Sequence, residues 1–220
     1  MKELLPLFIS PALFLLLFAY LRYRYPKGQF RLFFTAFGLG LLMAFLVILS
    51  NMLANYLGMD GARSIRRMFL YSFVFVGLMS ELGKFIPLYS KIMKHKSFNG
   101  APDGIIYSLA ISTGLTTLYA AYYHFFGLKV EGDWLFLIAI GPLNALLAVL
   151  LGFFSGMGKI RQNRFIDSMT GLGAATFFHG LFRFTLLSND TLFFMLVAGG
   201  ILFIALILIK KSLTSATESA

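Results

Sequence analysis

The sequence predicts an all-α membrane protein, a bundle of about seven transmembrane helices, and three observations lead there. Hydrophobic residues make up 59% of the 220-residue chain and charged residues 13%, with a mean hydropathy of +0.82, a composition outside the range of soluble domains. Charge-poor runs of about 17–25 residues recur along the whole chain, the helix length needed to cross a hydrocarbon core about 30 Å thick. Basic residues collect in alternate connections between those runs, as they do where loops sort to one side of a membrane.

The runs cover residues 4–20, 33–57, 68–90, 104–128, 134–157, 168–188 and 191–209. The first has the look of a signal peptide, but no small-residue cleavage site follows it and "RYRYPKGQFR" reads as a membrane-edge flank, so it is expected to stay as a span. So little lies between the runs that one polytopic membrane domain is expected over 1–220, with its core at about 68–188. In the fifth run Gly152 and Gly156 stand four apart, and the sixth carries Gly171, Ala174, Ala175 and Gly180. Small residues at helical spacing let backbones approach closely in lipid. The tail "KKSLTSATESA" is polar.

With the N-terminus outside, the cytoplasmic side receives twelve basic residues: Arg22, Arg24, Lys27, Arg31, Lys91, Lys94, Lys96, Lys159, Arg161, Arg164, Lys210 and Lys211. The outer side receives five: Lys2, Arg63, Arg66, Arg67 and Lys129. That asymmetry predicts an outside N-terminus and a cytoplasmic C-terminus. The discordant cluster "RSIRR" is expected to form a short amphipathic turn at the surface. The net charge of +10 is accounted for by helix orientation and by anionic lipid headgroups, so no nucleic-acid partner is expected. The chain has no cysteine, which excludes disulfides, thiolate metal sites and cysteine nucleophiles.

Polar residues inside the runs need a reason, because an ionisable group at mid-membrane costs roughly 2.5–3.5 kcal/mol on insertion scales. "FLYSFVFVGLMSELGKFIPLYS" places Glu81 and Lys84 near its middle, and Glu81 is the only carboxylate deep within a run. Three residues apart on a helix, the two share a face and can pair. A buried structural ion pair is the plain reading. The functional one is a carboxylate poised as a general base for water. "FFHGLFRF" sets His179 and Arg183 four apart, again on one face; a guanidinium keeps its proton and wants a carboxylate, carbonyls or the membrane edge. Asn144 in the fifth run is expected to bridge helices by hydrogen bonds. His95 falls in a connection and His124 in an aromatic membrane-edge belt. "NDT" at 189–191 matches a glycosylation acceptor, a pattern too short to weigh. There is no phosphate-cradling loop, no Ser-His-Asp arrangement and no HExxH.

Taken in order, these segments resemble the PrsW family of intramembrane proteases, related to the CAAX-type prenyl endopeptidases and to the multi-spanning scaffold subunit of gamma-secretase. The resemblance runs from about Ser80 to Phe184. The family's EExxK is met by "SELGK", with Glu81 and Lys84 in place and Ser80 for the first glutamate. Its DGxxYG…GxxxTLEN is met by "DGIIYSLAISTGLTTLYA", which keeps Asp103, Gly104 and Tyr107 and has Tyr119 and Ala120 for Glu-Asn. Where the family has histidine after proline, "GPLNALLAVLLGFFSG" has Asn144. "HGLFR" keeps His179 and Gly180 of an HGxYD-like motif and has Arg183 for the acid.

The resemblance implies glutamate and histidine on neighbouring helices activating water to cut a membrane-spanning substrate such as an anti-sigma factor, in a bacterial inner membrane. On that implication Glu81 is the base and His179 the acid or oxyanion donor. Lys84 and Asn144 orient or stabilise charge, and Asp103, Tyr107 and Arg183 support them. Glu81 and His179 are two good metal ligands and Asn144 a poor third, short of the three that catalytic zinc takes, so neither metal nor other cofactor is expected. Two readings stay open. One is an active endopeptidase. The other is a catalytically silent homologue that holds a transmembrane partner, with Arg183 paired to Glu81 or to a carboxylate of that partner. A small transporter has no positive support beyond the polar residues in spans.

Overall fold

The computed structural model describes residues 5–24, 30–59, 64–126, 133–188 and 190–217. Among these the chain is mostly helical, has no strand, and forms seven rods. They are α1 (Leu5–Arg24), α2 (Phe30–Tyr56), a composite third rod, α5 (Ala101–Phe126), α6 (Asp133–Ile160), α7 (Arg164–Ser188) and α8 (Thr191–Thr217). The third rod runs without a break through α3 (Ile65–Leu70), a π-helical segment (Tyr71–Leu78) and α4 (Met79–Ser90). Six rods are long and apolar enough to cross a membrane; α7 is not among them. Its Arg164, Asp167, His179 and Arg183, with glycines and threonines in its middle, lower its apolar content, and it is shielded by packing between the π-helical segment, α6 and α8.

The core is built around α5 and α6, the most buried rods, while α1 and α8 are the least. Close approach of these two backbones is what the small residues provide. Gly152 lies against Gly104, and Gly156 against Gly100 and Ala101, so that a methyl group at either position would run into backbone atoms. The stripe expected from "GFFSG" is therefore a helix contact. Leu147, Leu150, Leu151 and Ile111 belong to the main buried core, each at most 1% exposed. Between α1 and α2 the filling is aromatic, with Phe14 stacked on Phe33 at 4.9 Å between ring centroids and 4.1 Å from Phe37. Phe8, Leu15, Leu42, Phe45, Leu196 and Phe203 point outward, as befits a chain solvated by lipid.

One local expectation is corrected. The described part of "RSIRR" is no separate surface turn: Ser64 caps the third rod, its Oγ accepting from Arg67 N at 3.3 Å, and the helix starts at Ile65. A serine cap relieves an orphan donor of the first turn, so the helix continues directly into the span. At the other end of the bundle, Gln162 takes a left-handed conformation (φ 60°) in the tight turn between α6 and α7.

Candidate active site

The π-helical segment prepares the site. A π turn holds one residue more than an α turn and so re-aims the side chains beyond it. Here the Ser50 hydroxyl of α2 donates to the Phe75 carbonyl at 2.9 Å, giving a carbonyl of the widened coil a partner outside its own helix. Gly77, within the segment, touches α7: a Cβ on it would stand 3.0 Å from both Gly180 N and Thr176 O. A Cβ on Gly180 would in turn press on the Phe73 ring and backbone. Glu81 follows Gly77 by one turn, and His179 precedes Gly180. The glycine crossing thus sets the two helices close enough for these side chains to meet.

They do meet. His179 Nδ1 lies 2.8 Å from Glu81 Oε1, with the two side chains 1% and 0% exposed. Lys84 Nζ lies 2.5 Å from the same oxygen and is itself wholly buried. Lys84 also donates across to α6, to Asn144 Oδ1 at 3.1 Å and to the Asn144 carbonyl at 3.5 Å. The Asn144 amide nitrogen is anchored to Ile140 O at 3.0 Å. One oxygen of Glu81 therefore receives both Lys84 and His179. The other, Oε2, is buried and has no hydrogen-bond partner among the described residues. An ionised carboxylate only accepts, so Nδ1 of His179 carries the hydrogen and Nε2 is left for other chemistry. Glu81 lies nine residues before the end of α4 at Ser90, about 13 Å along the axis, which is near the middle of a bilayer.

The remaining expected residues are distributed otherwise. Asp103 Oδ2 accepts from Asn99 N at 2.7 Å and so caps the start of α5. Tyr107 stacks near Phe98 at 6.3 Å. Both stand at the end of the bundle where α4 stops and α5 starts, away from the hydrogen bonds of Glu81, because a carboxylate in a first helical turn is drawn to free backbone N–H groups. Lys159 adds to that end by donating to the Phe98 carbonyl. Arg183 does not pair with Glu81, whose ion pairs among the described residues are to Lys84 and His179. Its guanidinium sits 5.5 Å above the Tyr71 ring and close to Tyr119 and Tyr123. One turn beyond His179 on α7, Arg183 has moved level with the start of the π-helical segment rather than with Glu81. His95 is exposed and 2.7 Å from Ser97 Oγ, and His124 contacts Phe125 edge-on. Asn189 of the acceptor pattern lies outside the described residues.

Sequence reasoning missed the second buried polar group. Tyr71 donates to Asn51 Oδ1 at 3.2 Å, and Asn51 Nδ2 donates to Val47 O at 2.9 Å. The signal was there in "LSNML", where Ser50 and Asn51 interrupt an otherwise apolar run. The π-helical segment left no such mark, since its residues read as ordinary apolar helix.

The donor set for a metal is poor. Among the described residues no three His, Cys, Asp or Glu side chains come together to hold one. Glu81 and His179 already bond each other, and the next group is the Lys84 ammonium. Like unit charges about 4 Å apart repel by about 4 kcal/mol at an effective dielectric of about 20, and a dication doubles that.

The stretch that holds these residues matches known proteins. Residues 28–209 match the family model described as PrsW family intramembrane metalloprotease. The chain is 26% identical over 185 residues to the Protease PrsW of Bacillus subtilis (strain 168), covering 82% of each chain. It is 27% identical over 190 residues to the Protease PrsW of Oceanobacillus iheyensis, covering 84% of each. Against that of Geobacillus kaustophilus it is 25% identical over 187 residues, 83% of this chain and 79% of the relative. No solved structure matches at a significant level.

Proposed function

The chain belongs to the PrsW family of intramembrane metalloproteases, and from that premise we propose that it is an endopeptidase that cuts a membrane-spanning protein, with Glu81 activating water and His179 polarising the scissile carbonyl. One observation carries this reading: a wholly buried carboxylate has one oxygen fixed by two donors and the other without a partner among the described residues. Burial of a polar oxygen without a partner costs about 1–3 kcal/mol, a cost that a functional site can carry. Oε2 takes a proton from water. The hydroxide adds to the amide carbon, His179 as the imidazolium keeps Nδ1–H on Glu81 Oε1 and donates Nε2–H to the oxygen as charge builds on it, and the proton held on Oε2 passes to the leaving amine as the C–N bond breaks. Lys84 and Asn144 hold the carboxylate in place throughout.

The family description implies a metal, and the donor set around Glu81 and His179 does not fit one, so no step here runs through a metal. The substrate class is a membrane-spanning regulatory protein such as an anti-sigma factor, met in a bacterial inner membrane with the N-terminus outside and the C-terminus cytoplasmic. The Protease PrsW name of the relatives supports the proteolytic part of this reading.

A catalytically silent homologue that binds a transmembrane partner is the second reading. It is favoured by Ser80, Tyr119, Asn144 and Arg183 standing where the resemblance leads one to expect two carboxylates, a histidine and an acid. Reconstitution into lipid vesicles with membrane-spanning test substrates separates the two. Cleavage by the parent that is lost in both Glu81→Gln and His179→Ala supports the endopeptidase. Failure of the folded parent to cut any substrate, while it co-purifies with an intact transmembrane partner, removes the endopeptidase and leaves the silent reading.

A further inference from the structure

We propose that Lys84 is the resident cation of this site, an ammonium held against the Glu81 carboxylate, and that the site works without a metal ion. The inference rests on the reading of Glu81 and His179 as the reacting pair and adds to it the source of positive charge. An ammonium has three N–H donors and no acceptor. Lys84 directs them at three oxygens, Glu81 Oε1, Asn144 Oδ1 and Asn144 O, at 2.5, 3.1 and 3.5 Å. All three acceptors are buried, two are contributed by α6, and Asn144 is itself held by Ile140 O. This is a cradle fitted to an ammonium and not a gap that a lysine happens to fill.

The same geometry excludes a dication. Catalytic zinc takes three protein ligands from His, Asp, Glu or Cys, and among the described residues the site supplies two, Glu81 and His179. A lysine ammonium cannot be the third, because it has no lone pair to give while protonated, and it stands in contact with the carboxylate oxygen that a metal would share. Asn144 turns its amide oxygen to Lys84, and a neutral amide oxygen is outside the donor set that catalytic zinc takes. Within this arrangement Lys84 is a positioning residue: it fixes Oε1 and screens the carboxylate's charge, leaving Oε2 to the reactant.

Metal content reads the cation independently of cleavage, so its outcome does not depend on whether the substrate is found. The full chain is purified in detergent, equilibrated with zinc, freed of excess and analysed for bound metal, together with its thermal midpoint with and without 1,10-phenanthroline. The parent is expected to retain no stoichiometric zinc, with a midpoint that the chelator does not move. Lys84→His, which exchanges the ammonium for an imidazole and so supplies a third good donor, is expected to rise to about one zinc per chain. One zinc per parent chain, lost in Glu81→Gln and His179→Ala, would overturn the proposal. So would a folded Lys84→His that takes up none, since the ammonium would then not be what keeps the metal away. Should Lys84→His fail to fold, the parent's metal content and chelator response decide alone.

Discussion

Glu81 and Lys84 form a 2.5 Å ion pair one turn apart in α4, with neither side chain exposed at all. Such a pair is costly to assemble in a low-dielectric interior, and it is costly again to break from one side, because the survivor is left as an uncompensated charge. What it gives in return is a carboxylate that cannot turn. The pair links two rods through Asn144 and a third through His179.

Removing one member of the pair is therefore expected to cost more than removing both. Lys84→Met and Glu81→Gln should each destabilise the bundle by about 3–5 kcal/mol, whereas the double variant should recover much of that loss. Thermal midpoints of the three variants and the parent in one detergent form the cycle. Additive losses would show that the two groups do not depend on each other.

His179 is expected to matter for cleavage more than for folding. His179→Gln keeps a donor that can reach Glu81 Oε1, so its thermal midpoint should stay near the parent's, while cleavage falls by about 10²–10⁴-fold, the range for a lost acid–base group. A parent-like rate in His179→Gln, measured on reconstituted protein, would remove this residue from the chemistry.

Asn144 is expected to act through its oxygen. Asn144→Leu takes away the Oδ1 acceptor of Lys84 and leaves a buried ammonium under-satisfied, a loss of about 1–3 kcal/mol. Asn144→Asp keeps an acceptor at the same place and should be the milder change. Equal midpoints for the two variants would count against the hydrogen bond at 3.1 Å.

The glycine crossing can be probed with two alanines on one helix. Gly180→Ala places a methyl group against the Phe73 ring and backbone, whereas Gly173→Ala has nothing within 4 Å of its new Cβ. The first should push α7 from the π-helical segment, lower the thermal midpoint and abolish cleavage. The second should leave both unchanged. Matching effects would show that the crossing does not hold the site together.

Orientation is open to a direct test because the chain has no cysteine. Single substitutions Tyr56→Cys and His95→Cys lie at opposite ends of the bundle, on exposed side chains. In intact cells an impermeant thiol reagent should reach the first and not the second. The reverse labelling would invert the topology.

Much of the fold was legible in the sequence because lipid imposes a one-dimensional rule. Each crossing must satisfy its own backbone hydrogen bonds, so length and apolar content disclosed six rods, the charge-poor run 168–188 disclosed the seventh, and small residues disclosed where rods touch. The chemistry was partly legible for the same reason: charge in hydrocarbon is expensive, so Glu81, Lys84, His179 and Arg183 were conspicuous. Pattern could place Glu81 and Lys84 on one face, since three residues is a local distance. It could not pair Lys84 with Asn144, sixty residues on, nor decide whether Arg183 would turn to Glu81 or to Tyr71.

The count of helices and the polar residues in need of a partner can thus be read along the chain. Which of them meet is a matter of packing. Tertiary packing set the π-helical segment and the contact of Gly77 with Gly180, and those two features rotate Glu81 onto His179 while carrying Arg183 to the tyrosines. The difference is one of range: helix formation and membrane insertion are settled within about twenty residues, whereas a hydrogen bond between rods is settled by the fit of two surfaces far apart in the chain.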